Sequence, residues 1–117
     1  MKIMRVIMAI SLLAIFLNAN AIASDANQHA VEAIKHAETA QIHGQAGHAK
    51  ALLEHAQESL THAKAAEQEL AGAPQQHMTE SIKHLDEAIA HAQQDHADVA
   101  TKHVAEALKH MHDSAEK

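Results

Sequence analysis

The sequence predicts an all-α fold, an antiparallel four-helix bundle made of two duplicated helical hairpins that follows a signal peptide. Three observations carry this. Histidines stand at 29, 36, 43, 48, 55 and 62, and again 48 residues later at 77, 84, 91, 96, 103 and 110. Within each set the steps are seven, seven, five, seven and seven, and a period of seven filled with Ala, Leu and Glu is helical rather than strand-like. Other residues recur at the same offset: Glu32, Ile34, Lys35 and His36 return as Glu80, Ile82, Lys83 and His84, and Glu58, Leu60 and His62 as Glu106, Leu108 and His110. A duplicated helix–turn–helix unit accounts for all of this. The rival is one long antiparallel hairpin, which requires the second turn to be helical.

Residues 1–23 read as a signal peptide. Lys2 and Arg5 precede an apolar run over 6–17, too short to cross a bilayer comfortably, and Ala21-Ile22-Ala23 fits a small-x-small cleavage site. Cleavage there leaves 24–117 as a histidine-rich domain in the periplasm, with no further membrane attachment. The first helix is expected over 25–43 with Val31, Ile34 and Ile42 as its large apolar residues, and Gly44-Gln45-Ala46-Gly47 as the first turn. The second helix is expected over 48–70 with Leu52, Leu53 and Leu60. At Ala71-Gly72-Ala73-Pro74, glycine ends one helix and proline opens the next. The third helix is expected over 75–93 with Met78, Ile82, Leu85 and Ile89. The second turn, near Gln93-Gln94-Asp95, has no glycine and rests on the repeat. The fourth helix is expected over 96–111 with Val99, Val104 and Leu108, and 113–117 is expected to fray.

The positions one and five after each histidine carry most of the large apolar residues, so they are the expected seam, with histidine on the polar side. The position four after is mostly small: Ala33, Ala40, Ser59, Ser81, Ala88, Ala100 and Ala107, with Leu52 the exception. Small residues there permit close helix approach. Only fifteen Leu, Ile, Val and Met lie between Val31 and Met111, so the core is thin and the metal-free chain is expected to be marginally stable.

Composition excludes several classes. Without Lys2 and Arg5, fifteen acidic side chains face seven basic ones, a net charge of −8 with neutral histidines, which argues against nucleic acid and anionic lipid as partners. There is no cysteine, hence no disulfide or thiolate ligand. The one aromatic residue other than histidine is Phe16, inside the apolar run, so base stacking has no platform.

Twelve histidines in register outside the seam point to metal ions as the partner. Neutral imidazole suits Cu²⁺, Ni²⁺, Zn²⁺ and Co²⁺. The candidate imidazole ligands are His29, His36, His43, His48, His55 and His62 in the first unit, and His77, His84, His91, His96, His103 and His110 in the second. Glu32, Glu58, Glu80, Glu87 and Glu106 each stand three after one histidine and four before the next, on the same helical face. Successive histidines in one helix are about 10.5 Å apart in rise, too far for one ion to bridge. Across an antiparallel hairpin, however, 43 pairs with 48, 36 with 55 and 29 with 62, as do 91 with 96, 84 with 103 and 77 with 110. An ion between helices, held by two histidines and one glutamate, is the expected arrangement if the small positions form the helix contact.

These residues carry a resemblance. The stretches 52–66 (LLEHAQESLTHAKAA) and 100–107 (ATKHVAEA) resemble the family of periplasmic small metal-binding proteins of ammonia-oxidising bacteria, and the similarity spans 29–110. The resemblance implies a histidine-rich four-helix bundle that scavenges or buffers divalent metals, copper especially, with the twelve register histidines as ligands. The sequence departs from that pattern at Pro74 in the central linker and at Thr39, Ala51 and Val99, which occupy acidic slots.

The reading is therefore a monomeric periplasmic buffer for Cu²⁺, with Ni²⁺, Zn²⁺ and Co²⁺ as further ions, and not an enzyme. Met78 and Met111 fall on the seam as core. A pH-responsive helical interaction protein is the alternative, since thirteen protonations would carry the charge of residues 24–117 from −8 to +5. A di-iron carboxylate enzyme fits less well, because no Glu in that part of the chain has a histidine three residues later.

Overall fold

The alanine-rich heptads form the four helices that the repeat predicts. A computed structural model describes residues 27–115, and the predicted signal peptide lies outside them. Helix α1 covers 27–45, α2 Ala49–Glu69, α3 Gly72–Gln93 and α4 Ala97–Ala115, with no strand among the described residues. α1 pairs with α2 and α3 with α4, and the hairpins join where α2 packs on α3.

Both hairpin turns are closed by the same backbone hydrogen bonds. Gly47 N–H donates to Gly44 O (3.0 Å) and His48 N–H to His43 O (2.9 Å). In the second unit, Asp95 N–H donates to Ala92 O and His96 N–H to His91 O, both at 3.0 Å. The turn requires one left-handed residue, Gly47 at φ +80° in the first and Asp95 at φ +64° in the second. Aspartate visits this region more readily than most side chains, so the second turn forms without glycine and the rival single hairpin is excluded.

The α2–α3 junction differs from expectation. The chain leaves α2 through Leu70 and Ala71, both extended (ψ 165° and 159°), and Gly72, at φ +65°, opens α3 instead of ending α2. Pro74 then sits in the first turn of α3, where a missing N–H breaks no helical hydrogen bond. The C-terminus differs too. α4 continues to Ala115 because Ser114 is buried and its hydroxyl donates to Pro74 O at 2.8 Å, tying the helix end to the junction.

The seam lies one position away from the expected one. The innermost residues stand one and four after each histidine: Ala37, Ala56, Met78, Leu85 and Val104 from the first position, and Ala33, Leu52, Ser59, Ser81 and Ala107 from the second, are all fully buried. The position five after is a flank: Ile82 and Leu108 are buried there, as expected of the seam, but Ile34, Leu53, Leu60 and Ile89 are only half-buried. At 100° per residue these two flanks are symmetric about the seam, histidine on one side and the larger aliphatic on the other. The expected seam is off by one of its two positions because alanine and serine, as well as Leu52, fill the buried position four after histidine. Val31 and Ile42, two of the three large apolar residues of the first helix, stand off the seam and are 54% and 65% exposed. Eleven of the eighteen buried apolar residues are alanine, which keeps the core thin but lets backbones approach closely.

That approach is visible in two hydrogen bonds. Ser59 Oγ of α2 donates to Ala33 O of α1 at 2.7 Å, and Ser81 Oγ of α3 donates to Ala107 O of α4 at 3.0 Å. The two pairs are equivalent under the 48-residue repeat, with the serine on the opposite helix in each.

Gly44 marks a close contact between the hairpins. A Cβ there would collide with Thr101 of α4 and lie 2.6 Å from Leu52 Cδ1. Thr101 is held in place by its own bond to Ala97 O (2.6 Å). Overpacking of this kind costs about 1–3 kcal/mol, against about 1 kcal/mol gained when alanine replaces a helical glycine. Gly44→Ala is therefore expected to lower stability by about 1 kcal/mol and the melting temperature by roughly 4–8 °C. Adding Thr101→Ala should recover most of the loss. An unchanged melting temperature in the single variant would show that α1 shifts freely there.

Candidate metal centre

Each hairpin sets two histidine stripes against one another across its small-residue contact. In the first hairpin the rings form a continuous zigzag from His29 to His62, His36, His55, His43 and His48, with successive centroids 5.4, 5.7, 5.9, 5.5 and 6.0 Å apart. In the second it runs from His77 to His110, His84, His103, His91 and His96, at 5.9, 5.7, 5.8, 5.4 and 6.0 Å. All six level pairs read from the sequence are present.

The staggered contacts, such as His43 with His55 and His91 with His103, were not foreseen. Side chains lean toward the N-terminus of their helix, so in an antiparallel pair the two stripes lean in opposite directions. Each ring then falls between two opposite rings, about half of a 10.5 Å heptad rise from either. Level pairs become a ladder.

Local structure leaves the rings available. His48 precedes α2 at its N-cap but makes no side-chain cap hydrogen bond. Most of the twelve are half-buried; His48 and His96, at the turn ends, are exposed. Nδ1 of His55, His84, His91 and His110 is shielded from solvent and makes no hydrogen bond among the described residues, although Glu87 stands 3.5 Å from that of His84. Shielded nitrogens of this kind are costly unless they meet a ligand. In the first hairpin the outermost rungs touch directly, with His29 Nδ1 3.2 Å from His62 Nδ1.

Carboxylates flank the ladders. Glu58 Oε2 of α2 lies 3.3 Å from His36 Nδ1 of α1, across the hairpin. Glu87 Oε2 lies 2.8 Å from His103 Nδ1 and 3.5 Å from His84 Nδ1. Five groups of two histidines and one carboxylate bring one ligand atom each within 4.8 Å of the others: Glu32/His36/His62, His36/His55/Glu58, His77/His110/Asp113, His84/Glu87/His103 and His84/Glu106/His110. A tetrahedral ion about 2.0–2.1 Å from each ligand holds ligands about 3.4 Å apart, so modest side-chain closure completes such a site. Every group takes its histidines from both helices of a hairpin.

The groups omit six expected ligands. His29, His43, His48, His91 and His96 belong to the ladders but have no carboxylate in a group. Glu80 points to Lys83 Nζ (3.5 Å), as Glu32 does to Lys35 Nζ (3.3 Å). Glu106 of α4 stands in Glu80's place beside His84 and His110. One residue lies outside the sequence expectation: Asp113, three after His110 as the glutamates are three after theirs, has no histidine four residues on and stands in the tail expected to fray. Met78 and Met111 are fully buried in the core.

A family model described as small metal-binding protein matches residues 1–114, and the chain belongs to that family. No curated protein matches it. Membership and the histidine–carboxylate groups together make this a metal-binding protein.

His84 takes part in two groups, whereas His112 is exposed and takes part in none. Loss of a residue that merely orients a ligand weakens metal sites by about 10–100-fold, and loss of a ligand costs no less. His84→Ala should weaken Cu²⁺ binding in the second hairpin by at least about tenfold. His112→Ala should leave it unchanged. Equal losses in a copper titration would contradict the ladder geometry.

Proposed function

We propose that this member of the small metal-binding protein family scavenges and buffers divalent transition-metal ions in the periplasm, chiefly Cu²⁺, with Ni²⁺, Zn²⁺ and Co²⁺ bound less tightly or less often. The observation that carries the reading is the pair of cross-hairpin ladders, each a run of six imidazoles edged with carboxylates. Imidazole nitrogen and carboxylate oxygen together suit these ions, and the Irving–Williams order puts Cu²⁺ first among them. The donor set has no thiol, and both methionines of the bundle are core, which disfavours a dedicated Cu⁺ carrier. The reading assigns the chain no catalytic step. Localisation rests on the expected cleavage after Ala23.

The work of binding falls to the chain itself. The helices hold paired imidazoles at fixed heights, and the half-burial of the rings limits competition by water. The acids neutralise part of the incoming charge, and the net negative field draws cations toward the domain. Calorimetry at neutral pH should show more than two Cu²⁺ bound per chain, with unequal affinities. Saturation at one equivalent or fewer would refute multi-site buffering.

An ion held by ligands from two helices is a cross-link that the unfolded chain matches poorly, so binding and folding are coupled. Free Cu²⁺ at about a hundred times the dissociation constant of one such site adds about 2.7 kcal/mol, or on the order of 10–20 °C in melting temperature. Acid opposes this, because imidazole must be neutral to bind and its reference pKa is about 6.5. Between pH 7.5 and 5, copper should be released and the gap between metal-free and loaded melting temperatures should narrow. Circular dichroism melts with and without Cu²⁺ at both pH values check this. Unchanged melting at pH 7.5 with several ions bound would place the ions on single helices.

A further inference from the structure

The five histidine–carboxylate groups are not separate. In the first hairpin, both groups use His36. In the second, His84 belongs to the group closed by Glu87 and to the one closed by Glu106, while His110 belongs to the latter and to the group closed by Asp113. Every neighbouring pair of groups on a ladder thus has one histidine in common. A neutral imidazole has a single lone-pair nitrogen, the other carrying a proton. A shared ring can therefore serve one ion at a time.

We propose that neighbouring groups on a ladder are alternative seats of one ion, which passes between them by keeping the shared histidine and exchanging the other two ligands. The proposal rests on the metal-binding reading above and deepens it. From the seat closed by Glu87, an ion keeps His84 and exchanges His103 and Glu87 for His110 and Glu106. It next keeps His110 and exchanges His84 and Glu106 for His77 and Asp113. Each exchange moves the ion about one rung, and adjacent rungs here are 5.7–5.9 Å apart. No proton, electron or covalent bond is transferred. Repulsion between two dications one rung apart, with few carboxylates between them, opposes double filling in the same direction.

Exclusion fixes a count. The first hairpin seats one fully liganded ion. The second seats two, in the outer groups that have no residue in common. Five independent groups would seat five.

Calorimetric titration with Zn²⁺ near pH 7 tests this on the whole domain, 24–117. Under exclusion, His36→Ala, His84→Ala and His110→Ala each remove one ion from the high-affinity class, and the double variant His84→Ala/His110→Ala removes two. Independent sites, or sites bridged by a doubly bound imidazolate, lose two ions for each single variant and three for the double, which would overturn the proposal. Alanine is a good helix former, so the variants should keep the bundle, and metal-free circular dichroism verifies it. A parent chain that binds no Zn²⁺ and no Cu²⁺ would instead refute the metal-binding reading itself. Passage along the ladder is read from imidazole ¹⁵N signals at one Zn²⁺ per chain. Exchange broadening shared by His77 and His103 and independent of protein concentration is expected. Broadening that scales with protein concentration, or sharp signals without exchange, would overturn the passage.

Discussion

The close approach of the two helices within each hairpin is the constraint on which the rest depends. A serine hydroxyl reaching a backbone carbonyl of the facing helix, Ser59 to Ala33 and Ser81 to Ala107, is possible only where neither helix presents a large side chain. Alanine and serine at the deepest positions satisfy this condition. The same closeness brings flanking histidines to within one ring step of each other. A leucine seam would give a deeper hydrophobic core but would spread the imidazole stripes apart. The sequence thus gives up apolar burial for ligand geometry, and on the metal-buffering reading ligand binding would help to hold the fold together.

Much of this was legible beforehand, for identifiable reasons. A heptad of histidines repeated after 48 residues carries element type, element number and hairpin pairing, because helical periodicity and antiparallel symmetry are properties of spacing alone. The six level pairs followed from the same arithmetic. Only half of the seam did, because hydrophobic size is a poor guide to depth where helices approach closely, and here Ala33 and Ser59 lie deeper than Ile34 and Leu60. The stagger of the rings was illegible because it comes from the lean of side chains and not from residue numbers. Asp113 and the end of α4 were missed together, since the bond from Ser114 to Pro74 is a contact between residues forty positions apart that no local pattern announces.

The two lysines beside the ladders show how a metal site is set by residues that do not bind metal. Lys35 and Lys83 each hold the glutamate three residues before them. Both pairs are largely exposed, so each is worth little in stability. Their effect is to compete for a ligand. Glu58 and Glu87 have no such lysine neighbour among the described residues and lie directly against histidine nitrogens. Carboxylates at formally equivalent spacings thus differ in readiness because of one neighbouring side chain.

The bond between Ser114 and Pro74 makes the two copies of the unit unequal. Forty-eight residues earlier the corresponding positions are Ala66 and Ala26, neither of which has a hydroxyl. The open end of the second ladder, where His77, His110 and Asp113 meet, is therefore fastened across its hairpin by a link that Ala66 in the first copy has no hydroxyl to make. On the metal-buffering reading, a fastened end would lose less freedom when it closes on an ion, and so would bind at a lower free concentration. On that reading, such small divergence between the two copies would turn one threshold into two. A protein whose halves load at different metal levels keeps reserve capacity after its first half is full, and it responds to a wider span of supply than two identical halves would.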